Sequence, residues 1–360
     1  VEPSLNKFII SDDFLKISDY IEILKHPFKI LKVKIPKIHY NGFDITSLLR
    51  QENKRNCSDH SSLFGLLNYF FSYRFNNQKY NVKLLIDWYE NQVLDRGMIV
   101  GFHQFHQHTK IIGYQGYVIS PILHSYIYPN KAEVKQLAVP DKIAVIGKGL
   151  VDNVHLFCKD IDVITAPAFR NKKVWEERKS FPDLNYFQIF IALPISLRDC
   201  AEILNKLVRI KEKIDIEIKN VRYVVKPHPT YTITKIKTLF SYDLPDTILF
   251  HTGDFHRELE ISNLLITNGS TVALEALTKG VPVIIVGDQN GITQNPIPDS
   301  ITNIIWRICY TDEEFINNIL DFYKKQDINK NLYNQLSKQI KTNYFEPINK
   351  NNVRKFLNFY

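Results

Sequence analysis

An apolar run ending in Lys226-Pro227-His228-Pro229, followed about forty residues later by Asn268-Gly269-Ser270-Thr271, supplies a cation, an imidazole and two hydroxyls suited to holding an anion. Two prolines stop a strand's hydrogen-bond ladder and leave Lys226 and His228 at its carboxyl end. The second run, Leu264-Leu265-Ile266, enters a small polar turn and then Val272 to Lys279, whose apolar spacing is helical and which Gly280 closes as a C-cap. Ser270 and Thr271 therefore stand at a helix start, where unpaired N–H groups and the helix dipole favour a phosphate, and where both would also serve as plain caps. Glu275, one turn in, is an acid near a positive dipole end.

Metal chemistry is not expected. His103, His106 and His108 crowd one segment, but their spacing matches no zinc motif and no acidic ligand stands nearby. No Asp-x-Asp pair of the kind that holds a divalent ion on a sugar diphosphate is expected, which favours a monophosphate-activated donor. Gly147-Lys148-Gly149 follows a strand, but Asp152 takes the place of the third glycine of a dinucleotide-binding turn, so an NAD-dependent enzyme is set aside.

The elements that must position these groups alternate. Leu84 to Ile86, Ile111 to Gly113, Ile143 to Ile146, Val163-Ile164, Ile189 to Leu193, Tyr223 to Val225, Leu264 to Ile266 and Val283 to Val286 are short apolar runs of the buried parallel-strand kind. Helical stretches lie between them, such as Ser61 to Tyr73, Leu197 to Lys213, Val272 to Thr278 and Asp312 to Lys325. The chain reads as α/β with parallel sheets. A polar, proline-bearing stretch, Asn171 to Asn185, marks the best boundary, giving a first domain over 1–180, a second over 181–335 and a helical tail over 336–360. Ligands in such sheets bind beyond the carboxyl ends of the strands.

The two motifs resemble the nucleotide-sugar half of GT-B glycosyltransferases, more narrowly the enzymes that use CMP-activated acidic sugars such as sialic acid and Kdo. The resemblance covers roughly Val221 to Val286. It implies two Rossmann-like domains with parallel sheets facing a central cleft, the donor on the second, the acceptor on the first, and the last helix crossing back. It also implies that Lys226, His228, Pro229, Gly269, Ser270 and Thr271 hold the donor phosphate, and that Glu275 reaches a ribose hydroxyl. Trp88-Tyr89-Glu90-Asn91-Gln92, Ile112 to Gly116 and Tyr128-Pro129 are similar to elements of bacterial surface-carbohydrate proteins.

Against that background, Trp88 to Gln92 reads as a sugar-binding edge after the strand Lys83 to Ile86, with Trp88 and Asn91 touching substrate. Glu90 is the leading catalytic carboxylate, with a salt bridge to Arg96 as the competing account. Gln115 and Gly116, with Ser120-Pro121 beyond, form another cleft-side loop, and Arg170 suits a sugar carboxylate held in bidentate fashion. Asp162 and Asp199 are both open as the nucleophile of a double displacement. The function implied is transfer of a Kdo-like or sialic-acid-like sugar from a CMP-linked donor to a glycan or glycolipid, without a cofactor. The alternatives are a UDP-sugar transferase, a CDP-glycerol-type glycerophosphotransferase and a non-catalytic sugar-nucleotide-binding subunit.

Length and composition agree with this. The 360 residues are too many for one ordinary core, and 44% hydrophobic content is enough to fill two. Four scattered cysteines form no Cys-x-x-Cys pair. No basic-then-apolar leader opens the chain, and no apolar run reaches the roughly 20 residues that span a bilayer, so a cytoplasmic protein is expected. The first residue is Val1 rather than Met, which suits a module of a longer polypeptide. A charge of +8 fits acidic substrates or an anionic membrane face, although biased base composition also enriches Lys, Asn and Ile. Basic residues are spread along the chain, at Lys324-Lys325, Lys338 to Lys341 and Lys350 to Lys355, and no nucleic-acid motif is present. Peripheral contact with anionic lipid fits that pattern better than a nucleic-acid partner.

Overall fold

The computed structural model of the protein describes residues 8–57, 59–78, 80–118, 124–177, 182, 185–288 and 293–357. Two parallel sheets organise it. The first takes β1 (Leu84–Trp88), β2 (Lys110–Gln115), β3 (Lys142–Val145) and β4 (Asp162–Thr165) in sequence order. The second contains β5 (Phe187–Ala192), β6 (Val221–Lys226), β7 (Ile248–Phe250), β8 (Leu264–Thr267), β9 (Val283–Val286) and β10 (Trp306–Cys309). Their spatial order is β10-β9-β8-β5-β6-β7, every pairing parallel.

β5, β8 and β9 are buried along their whole length, as strands covered on both faces must be. The sequence does not announce β7 or β10. Both are edge strands, one only three residues long and the other interrupted by Arg307, so neither presents a continuous apolar run.

The helices that matter to the site are α1 (His60–Asn76), α2 (Val93–Phe105), α3 (Leu197–Glu217), α4 (Phe255–Glu260), α5 (Val272–Thr278), α6 (Asp312–Tyr344) and α7 (Lys350–Leu357). The expected helix Asp312 to Lys325 and the start of the expected helical tail are one. No glycine or proline interrupts α6, and the break comes at Phe345 to Asn349, where Pro347 stands. The expected boundary at 335/336 thus falls inside a helix, and that at 180/181 lies outside the described residues.

Beyond α6 the chain crosses onto the first sheet. Glu346 N–H donates to Ile146 O at 2.6 Å, Ala168 N–H donates to Glu346 O at 2.9 Å, and Phe356 packs against Tyr114 and Phe169. Gly147 permits this crossing, since a Cβ there would lie 2.3 Å from the Tyr344 backbone. The glycines that resemble a nucleotide turn in sequence serve a chain crossing instead. Among the described residues no helix is long and apolar enough to cross a membrane.

Candidate active site

The two anion motifs meet across a single strand. β6 and β8 flank β5; Leu193 N–H donates to Lys226 O at 3.0 Å, and Thr267 Oγ1 donates to Ala192 O at 2.8 Å. The order of the strands reverses on either side of β5, and in open parallel sheets such a reversal leaves a ligand-binding crevice at the carboxyl ends. The four described strands of the first sheet show no reversal.

His228 Nδ1 lies 2.8 Å from Thr230 Oγ1 and accepts from Thr230 N–H at 3.3 Å. A backbone N–H can only donate, so Nδ1 carries the lone pair and Nε2 the proton. Burial lowers the basicity of the ring, which favours this neutral donor form near pH 7. Lys226 Nζ donates to Gly253 O at 2.6 Å, and Pro229 is exposed.

At the second motif Gly269 has φ +61, a left-handed conformation that costs other residues roughly 1–2 kcal/mol, and its N–H donates to Gln294 O at 3.0 Å. Thr271 departs from expectation. Its hydroxyl donates to Val118 O at 3.1 Å, across to the first-domain side, which leaves Ser270 as the hydroxyl able to turn towards a phosphate. Asp199 lies in the first turn of α3 beyond β5, its carboxyl raised by burial, with Asp288 adding to the effect. It stands with the second sheet rather than the first.

On the first sheet, Trp88, Glu90 and Arg170 come together. Trp88 Nε1 donates to Glu90 Oε1 at 3.1 Å, Gln92 Nε2 donates to Glu90 Oε2 at 2.6 Å, and the Arg170 guanidinium stands 5.3 Å from the Trp88 ring centre. Arg96 pairs at 2.5 Å with Glu133, so the competing Glu90–Arg96 bridge is absent.

Three expected residues are placed elsewhere. Asn91 is buried in a left-handed turn (φ +54), accepting from Tyr89 Oη at 3.0 Å and donating to Tyr126 O at 3.0 Å; it shapes the turn rather than facing substrate. Gln115 is buried, with Nε2 3.5 Å from Ile127 O. Asp162 opens β4 at its amino end, exposed and 3.6 Å from Lys142, at the opposite end of the sheet from a cleft beyond the carboxyl ends. Contrary to the expectation of none, it completes an Asp-x-Asp, Asp160-Ile161-Asp162, but the other member pairs with Lys131 at 3.7 Å and the two stand at the amino end of β4. Ser120-Pro121 lies outside the described residues. His103 and His106 each meet a backbone carbonyl, those of Val139 and Ser72. Among the described residues no three His, Cys, Asp or Glu side chains gather as metal ligands.

Between the two halves, Glu275, which the sequence singled out for a ribose hydroxyl, stands in a cluster whose other members sequence reasoning missed. Asn171 Nδ2 donates to Glu275 Oε1 at 3.0 Å, His256 Nε2 is 3.6 Å from Glu275 Oε2, and Lys173 pairs with Asp254 at 2.6 Å. Asn171 and Lys173 read as linker, and Asp254-Phe255-His256 follows the strand that the sequence hides. Burial pushes Glu275 up to about 7 and lowers the basicity of the His256 ring. A second missed acid, Asp87 of β1, is pushed up to about 7 by burial, but strand alternation turns it away from the face that carries Trp88.

Glu275 gives a pH prediction. Its folded pKa lies above the ordinary value of 4.5, so the stability it contributes is complete below pH 4.5 and is lost as the pH rises through about 7. The loss is about 3 kcal/mol at roughly 1.4 kcal/mol per pKa unit. Glu275→Gln, which mimics the protonated form, is expected to match the unsubstituted protein at pH 5 and to exceed it at pH 8 in urea unfolding. Equal stabilities at pH 8 would contradict the assignment.

Comparison with known proteins bears on the second sheet and on the whole fold. A family model described as "Putative glycosyltransferase (DUF6716)" matches residues 192–299, which include both anion motifs. No curated protein matches the chain. Among solved structures, a "putative UDP-N-acetylglucosamine 2-epimerase" from Listeria monocytogenes is 14% identical with a TM-score of 0.54, over 93% of this chain and 84% of that one. The S. aureus MnaA structure with UDP is 12% identical with a TM-score of 0.53, over 93% and 92%. An α,α-trehalose-phosphate synthase (UDP-forming) from Burkholderia xenovorans, in complex with glucose-6-phosphate, is 7% identical with a TM-score of 0.50, over 95% and 84%. At such identities the likeness speaks for the fold alone: α/β with parallel sheets, of the GT-B kind.

Proposed function

We propose that the protein is a glycosyltransferase of bacterial surface-polysaccharide synthesis that takes a Kdo-like or sialic-acid-like sugar from a CMP-linked donor. One observation carries the reading: Lys226-Pro227-His228-Pro229 and Asn268-Gly269-Ser270-Thr271 converge across β5 at the strand-order reversal. The family match over 192–299 supports the transferase class. The acceptor is a glycan or glycolipid, the protein works at the cytoplasmic face of a membrane, and nucleic acid is not a partner.

In the reaction the acceptor hydroxyl attacks the anomeric carbon, and the bond from that carbon to the phosphate oxygen breaks. The His228 Nε2–H, the Ser270 hydroxyl and the backbone N–H groups of the turn stabilise the leaving phosphate. Glu90 receives the acceptor's proton. Arg170, exposed beside Trp88, offers a guanidinium to a sugar carboxylate.

A UDP-sugar donor is the second reading, supported by the fold's likeness to the UDP complex and the UDP-forming synthase. Metal dependence separates the two. With fixed N–H groups, His228 and Lys226 at the leaving phosphate, turnover is expected to persist in excess EDTA. Loss of turnover with EDTA and recovery with magnesium or manganese would favour the UDP donor. Incubation with each sugar nucleotide, scored for transfer and for donor hydrolysis, tests the transferase itself. Binding with neither transfer nor hydrolysis would leave a non-catalytic nucleotide-binding subunit.

A further inference from the structure

Net positive charge recurs along the chain, as the scattered lysines lead one to expect, and one such stretch also carries exposed apolar side chains. Residues 25–57 hold eight Lys and Arg against two Asp and Glu, a net +6, the same as over residues 324–355. They form a short helix (His26–Leu31), a two-stranded hairpin (His39–Tyr40 with Phe43–Asp44) and a second helix (Thr46–Asn56). The segment is braced within itself: Asn53 Nδ2 donates to Ile30 O at 3.1 Å, and Ile38 N–H donates to Thr46 Oγ1 at 2.9 Å.

Thr46 is its one buried residue. Large apolar side chains face solvent instead, with Phe28 68% and Phe43 74% exposed, and Leu31, Val33, Tyr40 and Leu48 also exposed. Lys25 and Lys29 share Glu22, and Lys37 stands 3.9 Å from Asp44. Lys32 and Lys34 form no ion pair among the described residues.

We infer that this segment docks the protein on an anionic lipid bilayer. Its apolar side chains enter the boundary between headgroups and acyl chains, and its lysines meet lipid phosphates. Charge selects this occupant. Two copies face to face would set +6 against +6, and aliphatic Leu31, Val33 and Leu48 gain nothing from nucleic-acid bases that stack on aromatic rings. The inference gives the membrane contact of the proposed function a surface. It is read without donor or acceptor, so its failure leaves the transferase reading standing, and the converse holds.

The test is co-sedimentation of the full chain with vesicles of phosphatidylcholine, with and without phosphatidylglycerol. Binding is expected only with phosphatidylglycerol and is expected to weaken with salt. Lys32→Gln/Lys34→Gln should weaken it about 25-fold, at about fivefold per lysine. Phe28→Ser/Phe43→Ser should abolish it with an unchanged melting temperature. Equal binding to both vesicles, or unchanged binding by either variant, would overturn the inference. So would salt-sensitive DNA binding indifferent to the phenylalanines, or a dimer that these variants dissociate without affecting vesicle binding.

Discussion

Replacing His228 with alanine is expected to slow sugar transfer about 100-fold while leaving the melting temperature unchanged. Removal of one fixed donor from a developing oxyanion costs roughly that much. The ring qualifies as such a donor because the Thr230 N–H fixes the lone pair on Nδ1 and burial keeps the ring neutral, leaving the Nε2 proton for the phosphate. The fold should tolerate the change, since the side chain's bonds are local ones to Thr230. Undiminished turnover in a folded variant would remove His228 from the mechanism. Loss confined to nucleotide affinity would make it a ground-state ligand.

Glu90→Gln is expected to cost about 10² to 10⁴-fold in transfer, the range for a general base, with nucleotide affinity unchanged. The carboxylate is oriented by Trp88 Nε1 and Gln92 Nε2 and forms no ion pair among the described residues, Arg96 being engaged by Glu133. The amide retains the shape and one acceptor oxygen, so the variant should fold. Lost nucleotide binding in that variant would assign Glu90 to the donor side instead.

The strands that place these groups were legible because a buried parallel strand is apolar on both faces, as β5, β8 and β9 are. What the sequence hid follows from the same physics. β7 and β10 lie at sheet edges and need no continuous apolar run. Asn91 follows a strand end and Gln115 closes a strand, as substrate ligands often do, but their polar atoms are satisfied inside the fold, a distinction made by tertiary packing alone. The Thr271 hydroxyl was committed by the approach of Val118, about 150 residues away in sequence, and Glu275 acquired Asn171 and His256 the same way. Contacts between the two halves leave no periodic trace in the chain. The net +6 of residues 25–57, by contrast, was present in the sequence, whereas the exposure of the apolar side chains beside it is visible only in the structure.

The central claim, that the crevice at the carboxyl ends of β5, β6 and β8 holds a pyrimidine nucleotide, is tested most directly by a thermal-shift panel of CMP, CDP, UMP, UDP and GDP. A ligand bound only by the folded state stabilises it by mass action, by about 2.7 kcal/mol at a hundredfold excess over Kd. CMP is expected to raise the melting temperature most, and GDP not to raise it, with the CMP shift reduced in Ser270→Ala. A shift by none of the five, or a CMP shift of equal size in Ser270→Ala and His228→Ala, would contradict the placement of the donor at these motifs.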